Sequence, residues 1–352
     1  MRIAIVNDVR VAVEAMRRVI ESTPGFEVCW TASDGREAVA RCAVETPDMI
    51  LMDLVMPVMN GVEATRHIMK ENPCPILVVT ATIDGHFTQV YEAIGAGALD
   101  VVETPALDGT GGERLLRKIA TVRSLVGPGQ QRYRGVANVL PVLPEPARRA
   151  ATARDLPIIA MGASTGGPKA LGVVLAGLPA DFPAAVLVVQ HLDTRFTVGL
   201  ADWLERRTAL EVRALRRPQR IAPGTVFIAA CDAHMILDGR GWLDYVDGSS
   251  ETSGHRPSID RLFESVASHA GIRGCGVLLT GMGRDGASGL LALRRAGFLT
   301  IVQDEASSVV WGMPGAAARL RAAGAVLPLE QIAPALVRHV RALTRIDGEK
   351  PL

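Results

Sequence analysis

"MGASTGG", residues 161–167, follows the apolar run Pro157-Ile158-Ile159-Ala160, so a strand passes into a glycine-rich turn and then, at Gly167-Pro168, into a helix. Two chemistries share these letters. Backbone N–H groups at a helix N-terminus can cradle a phosphate, which would make the stretch part of a nucleotide site. Gly162-Ala163-Ser164-Thr165-Gly166 is also a literal G-x-S-x-G, the turn that presents a nucleophilic serine at the top of a sheet. On either reading the unit is strand, turn, helix, and the fold is α/β.

Spacing separates the two chemistries. A dinucleotide site needs G-x-G-x-x-G and an acidic residue about twenty positions on to hold the ribose. Here Ser164 replaces the middle glycine, and the next apolar run, 185–189, ends in Gln190-His191. That imidazole is what a serine requires, because a hydroxyl is a poor nucleophile at neutral pH and a histidine, with an ordinary pKa of ~6.5, can take and return its proton. In "LLTGMGRDGASG" a buried strand over 277–280 leads to Asp285, a carboxylate able to fix the histidine tautomer and stabilise the imidazolium. His234, His255 and His269 compete as the base. Taken singly, Ser164, His191 and Asp285 read as an N-cap, a strand end and a loop acid. Their shared position at or just past the carboxyl ends of strands favours a Ser164–His191–Asp285 site.

Outward from this unit, 352 residues imply about two domains. Toward the N-terminus, apolar runs at 3–6, 28–31, 49–52, 76–80 and 99–102 alternate with amphipathic segments such as 11–22 and 35–45. This predicts a five-stranded doubly wound parallel sheet of flavodoxin-like type. Residues 127–155, rich in Pro, Gly, Gln and Arg, carry no period and read as a linker. Beyond it, strands at 185–190, 225–230, 277–280 and 300–303 predict a second doubly wound, mostly parallel α/β domain. The expected boundaries are 1–123, a linker over 124–155, and 156–346.

Composition excludes several classes. With 38 basic and 37 acidic residues, neither nucleic acid nor a charged membrane surface is favoured as partner. Five scattered cysteines with no C-x-x-C argue against a disulfide framework or a zinc site. No apolar stretch reaches membrane-spanning length, and the opening "MRIAIVND" is a strand pattern rather than a signal peptide. A cytoplasmic protein without direct membrane insertion is expected.

The first domain has its own constellation. Asp8 follows its first strand, Asp53 its third in "MILMDLVMP", and Thr80 closes its fourth in "ILVVTA". Two converging carboxylates without a basic partner repel each other, and a Mg²⁺ that keeps some waters and also contacts phosphate oxygens relieves this. By residue type at each strand end, this domain resembles the receiver domain of two-component response regulators. The resemblance implies that Asp53 accepts a phosphoryl group, that Asp8, Asp53 and Val55 hold Mg²⁺, and that Thr80 is the switch hydroxyl. Met56-Pro57 and Asn60-Gly61 repeat that family's loop after the acceptor. Two positions depart from it: Asn7 stands where a second acid is usual, and Thr104, before Pro105, stands at the second switch position, where lysine is usual.

In the second domain "GASTGG", "VVQH", "HRPSID" and "LTGMGRDGA", in that order, resemble the catalytic domain of chemotaxis protein-glutamate methylesterases over 157–345. The resemblance implies Ser164 as nucleophile, His191 as base and acid, and Asp285 as the orienting carboxylate. It also implies backbone N–H groups near Thr165 and Met282 facing an oxyanion, with Thr165 and His255 in the pocket. "AACDAHM", 229–235, departs from that family's usual Pro-Gly loop. Together the halves imply a phosphorylation-regulated esterase acting on methylated glutamates of chemoreceptors, with glutamine deamidation by the same apparatus. A chemosensory histidine kinase would be the phosphodonor, Mg²⁺ the receiver's cofactor, and the esterase would need none. "IVND" and "VVETPAL" resemble the Wsp-type surface-sensing branch more than the flagellar one. The rival reading, a receiver with a non-catalytic binding domain, fits poorly with the missing ribose acid.

Overall fold

The computed structural model describes residues 1–81, 87–125, 156–248, 255–269 and 271–348. The chain divides into two compact units between Tyr133 and Arg134, within the expected linker, whose residues 126–155 lie outside the described ones.

The first unit runs β1 (Arg2–Val6), α1 (Arg10–Glu21), β2 (Glu27–Ala32), α2 (Gly35–Val44), β3 (Met49–Met52), α3 (Gly61–Glu71), β4 (Ile76–Thr80), α4 (Phe87–Ala96), β5 (Asp100–Glu103) and α5 (Gly112–Leu125). The five strands form one parallel sheet in the order β2-β1-β3-β4-β5. Met16, Val19 and Ile20 lie on one face of α1 and pack with Ile3, Ile5 and Leu51 of the sheet. Each such fully buried side chain contributes roughly 1.5–3 kcal/mol. Asp34 caps α2 by accepting from the Glu37 N–H, and Asn60 caps α3 by accepting from that of Glu63. The strand order reverses between β1 and β3, so the crevice of this sheet opens beside Asp8 and Asp53. A Cβ at Gly61 would lie 1.9 Å from the Asp53 carbonyl oxygen, so only glycine lets α3 begin this close to that loop.

The second unit runs β6 (Ile158–Ala163), α6 (Gly167–Ala176), β7 (Ala185–Gln190), α7 (Thr194–Glu205), β8 (Glu211–Leu215), β9 (Gln219–Arg220), β10 (Thr225–Ala229), β11 (His234–Leu237), β12 (Trp242–Val246), α8 (Ile259–Ala267), β13 (Gly274–Leu278), α9 (Ala287–Arg295), β14 (Leu299–Gln303), α10 (Met313–Arg319), β15 (Ala325–Leu327) and α11 (Leu329–Gly348). Seven parallel strands follow the order β15-β14-β13-β6-β7-β10-β8, and a small antiparallel sheet, β11-β12-β9, stands apart from them. Leu187, Phe227, Met235, Phe263 and Leu290 belong to one core that joins the large sheet to α8, α9 and the small sheet. The reversal of strand order falls between β6 and β13, which sets the crevice beside Ser164 and the loop that follows Leu278.

Two expectations shift. The strand expected at 277–280 begins at Gly274 and ends at Leu278, because Gly274 and Gly276 interrupt the apolar run that marks a strand. The small sheet, β8 and β15 were outside the predicted strands, although Asp238-Gly239-Arg240-Gly241 between two apolar runs is a hairpin signal. No helix among the described residues is long and apolar enough to cross a membrane.

Candidate active site

Ser164 is the first residue past β6 and His191 the first past β7. The ladder pairs Ala163 with Gln190, and the His191 N–H donates to the Ala163 carbonyl at 2.9 Å. On the other side of β6 the Ser164 N–H donates to the Thr280 carbonyl at 3.0 Å. The turn into α6 is closed by the Gly167 N–H on the Ser164 carbonyl, 2.8 Å, which also accepts from Gln190 Nε2 at 2.8 Å. Gly166 has φ 77°, in the left-handed region, and a Cβ there would meet Val309 Cγ2 at 2.6 Å. This tight passage brings Ser164, 7% exposed, and Thr165, 3% exposed, to the N-terminal end of α6, where the helix dipole favours negative charge.

His191 Nε2 lies 2.8 Å from Asp285 Oδ2. Asp285 also accepts from the Ser258 hydroxyl at 2.9 Å and from the N–H groups of Ile259, Asp260 and Gly286 at 2.8, 3.0 and 3.0 Å. Burial pushes this carboxyl up, but the hydrogen bond and charge of His191, with the Ile259 and Asp260 N–H groups of the α8 N-terminus, outweigh it. They hold Asp285 well below the usual carboxylate range. It is therefore a fixed anion that orients the ring and stabilises an imidazolium. With Nε2 taken, Nδ1 is the nitrogen left to act as base, and it is buried without a hydrogen-bond partner. The ring is thus turned the other way from the familiar serine-protease arrangement, in which Nδ1 meets the carboxylate. The bond from Ser164 Oγ to Nδ1 is not formed here, and catalytic bonds of this kind commonly tighten when substrate arrives.

The rival histidines occupy other places. His234 Nδ1 accepts from the Ser258 N–H at 3.1 Å, and His269 Nε2 meets the Leu237 carbonyl at 2.9 Å. His255 stacks on His191, with ring centroids 3.9 Å apart and planes 21° from parallel. Met282, 44% exposed, lies in the loop between β13 and Asp285. The Thr165 carbonyl accepts from the Thr280 hydroxyl at 3.0 Å, and that hydroxyl oxygen in turn accepts from the Val310 N–H at 2.9 Å. Ser258 and Thr280 escaped the sequence reading. Ser258 lay inside "HRPSID" as the N-cap of α8, but only the fold brings that cap onto Asp285.

In the first unit, Asp8 is exposed just past β1 and Asp53 half-buried just past β3, with its Oδ1 accepting from the Leu54 N–H at 2.7 Å. Thr80 is buried at the end of β4, and Val55 is exposed. Asn7, in place of an acid, uses its side-chain oxygen to accept from the Val9 N–H at 2.8 Å, shaping the loop that carries Asp8. Thr104 donates its N–H to the Thr80 carbonyl at 3.1 Å, while its hydroxyl is buried with no partner. Among the described residues no three His, Cys, Asp or Glu side chains converge as a self-sufficient metal cage. Two carboxylates and a backbone carbonyl suit Mg²⁺, which takes its remaining oxygens from water and phosphate.

Residues 159–336 match the CheB methylesterase family, and residues 3–111 match the response regulator receiver domain. The protein-glutamate methylesterase/protein-glutamine glutaminase 1 of Burkholderia lata is 49% identical over 347 residues, 97% of this chain and 100% of its own. The protein-glutamate methylesterase/protein-glutamine glutaminase of group 3 operon of Pseudomonas putida is 51% identical over 95% of this chain and 97% of its own. Among solved structures, the Thermotoga maritima CheB methylesterase catalytic domain is 33% identical with a TM-score of 0.49, covering 52% of this chain and 97% of that one.

Proposed function

We propose, for a chain that belongs to the CheB methylesterase family and carries its receiver domain, that Ser164, His191 and Asp285 perform its hydrolysis of protein glutamate γ-methyl esters. The enzyme is a phosphorylation-regulated protein-glutamate methylesterase and protein-glutamine glutaminase. Ser164 Oγ attacks the γ-carbonyl as its proton passes to His191 Nδ1. The tetrahedral oxyanion faces the Thr165 N–H at the α6 N-terminus and the backbone near Met282, the kind of preorganised donor set worth most in acyl transfer. Methanol leaves with the proton from Nδ1, or ammonia where the substrate is glutamine. Water, deprotonated by the same nitrogen, then releases glutamate from the acyl-enzyme. The observation that supports this most is the 2.8 Å contact of His191 Nε2 with a strongly acidic Asp285, which leaves Nδ1 unpartnered one residue past the Ala163–Gln190 pair.

Receiver phosphorylation depends on Mg²⁺. The proposed ligands are the carboxylates of Asp8 and Asp53 and the carbonyl of Val55, and the ion would neutralise the phosphoryl oxygens. Asp53 is the proposed acceptor, Thr80 the switch hydroxyl, and His255 a wall of the ester pocket. The proposed partners are a chemoreceptor as substrate and a chemosensory histidine kinase as phosphodonor. The proposed division is a receiver over 1–123, a linker over 124–155 and the esterase over 156–346. The proposed setting is the cytoplasm, which suits five free cysteines. Ser164→Ala should abolish methanol release from a methylated receptor while Asp53 still takes phosphate. A near-normal release rate in that variant would remove Ser164 from the mechanism, and His234→Ala should not reproduce the loss.

A further inference from the structure

The sheet whose carboxyl edge carries Ser164 leads, three strands along, to two unneutralised arginines past the end of β8. Ala163 pairs with Gln190, Ile228 with Val188, and Ala229 with Leu215. The ladder ends at Ala229 and Leu215, and Arg216 and Arg217 are the next two residues past β8, the strand three places along the sheet from β6. The junction is clamped, because the Tyr245 hydroxyl donates to the Leu215 carbonyl at 2.6 Å and accepts from the Ala230 N–H at 2.8 Å. Arg195 is paired with Asp193 at 2.8 Å and Arg256 with Asp232 at 3.6 Å, whereas Arg284, exposed beside Asp285, has no carboxylate within ion-pair distance among the described residues and adds a third cation to the mouth. Arg216 and Arg217 are exposed, and among the described residues neither has a carboxylate within ion-pair distance.

We infer that Arg216 and Arg217 form a docking rim for an acidic helical segment, namely the stretch of substrate that carries the ester. The inference rests on the proposed esterase reading and names what that site prefers beside the ester. Each turnover turns a neutral γ-ester into a carboxylate, so a segment with several such sites grows more acidic as it is processed. Three strand spacings separate β6, which leads to Ser164, from β8, which leads to the arginines, roughly 14 Å. A helix rises about 1.5 Å per residue, so carboxylates four and seven residues from the ester lie about 6 and 10.5 Å along it. An extended arginine side chain spans what is left. The rim therefore favours esters with free glutamates one or two turns away, and it draws the enzyme back to partly processed segments.

The test uses the full chain carrying Ser164→Ala, with Mg²⁺ and beryllofluoride, and two fluorescent helical peptides with a central glutamine. One has glutamate, the other glutamine, at four and seven residues from the centre. Anisotropy at 50 mM salt should show the glutamate peptide binding about three- to tenfold tighter, the scale of two rim ion pairs. The preference should shrink as salt approaches 0.5 M, where the screening length falls to a few ångströms. It should collapse in Arg216→Ala/Arg217→Ala and persist in Arg216→Lys/Arg217→Lys, which keeps the charge. Equal affinity for the two peptides, no binding of either, or a preference that survives the double alanine change overturns the inference. Failure of the chain with Ser164 intact to release methanol would sink the esterase reading separately, because the binding ratio is read without turnover.

Discussion

Two carboxylates share one hydrogen-bond cluster beside His191 and are pushed in opposite directions. Asp285 is held low by His191 and the α8 N–H groups despite its burial. Its contribution to stability is present above the ordinary carboxylate pKa and is lost as pH falls below it. Asp260 is raised to about 6 by burial and by the charges of Asp285 and Glu264, against the Gly289 N–H that donates to it at 2.6 Å. Its folded form binds a proton more tightly than its unfolded form. The stability it contributes is therefore full below the ordinary value and is lost as pH rises through about 6. Asp260→Asn keeps an acceptor for Gly289 and removes the charge. The variant should gain stability relative to the parent, on the order of 1 kcal/mol, as pH goes from 5 to 8, with the difference levelling off above that. Urea titrations read by tryptophan fluorescence would report it, since Trp203, Trp242 and Trp311 all lie in the second unit. Parallel stability curves for parent and variant would mean that Asp260 titrates normally.

At the scale of elements, the passage from β6 into α6 does the positioning, and Gly166 is the point where its backbone turns left-handed. An alanine there combines a left-handed backbone, costing about 1–3 kcal/mol, with a methyl 2.6 Å from Val309 Cγ2. Relief of that clash must move the Thr165 peptide, so Gly166→Ala should lower kcat about tenfold or more with a smaller change in KM, alongside a reduced Tm. Unchanged methanol-release kinetics would show that the oxyanion is held elsewhere. The same turn was legible in the sequence because a strand, a nucleophile, two glycines and a proline fall in linear order. The receiver strands were equally legible, as five apolar runs, three of which carry Asp8, Asp53 and Thr80 at or just past their ends. Elements without a local signal were not. β9 is two residues long, too short for any period, and β13 begins on glycines. Which ring nitrogen of His191 meets Asp285, and that the Ser258 cap of α8 serves the same carboxylate, depend on contacts 94 and 27 residues apart in the chain. No local pattern encodes those.

Across the whole molecule, the proposed phosphorylation at Asp53 must alter the proposed chemistry at Ser164, which lies in the other unit. The receiver therefore needs two states whose balance the phosphoryl group shifts. Thr104 is where this chain should be weak. A lysine at that position offers a flexible point charge to a dianion, as phosphate-binding lysines do. Threonine offers neither charge nor reach, and its hydroxyl is buried without a partner at the end of β5, beside the Thr80 carbonyl that its N–H engages. Losing ~1.4 kcal/mol of differential stabilisation lowers the ratio of active to inactive receiver about tenfold. Thr104→Lys restores the charge and removes the orphaned hydroxyl, so it should increase the activation of the esterase by Mg²⁺ and beryllofluoride several-fold, measured as methanol release with and without the phosphoryl mimic. The nearest substitute cation in sequence is Arg10, exposed at the first residue of α1 and two residues beyond Asp8. If the parent is already strongly activated, Thr104→Lys adds nothing, and Arg10→Ala abolishes the response, then Arg10 carries the lysine's role and Thr104 is no weakness.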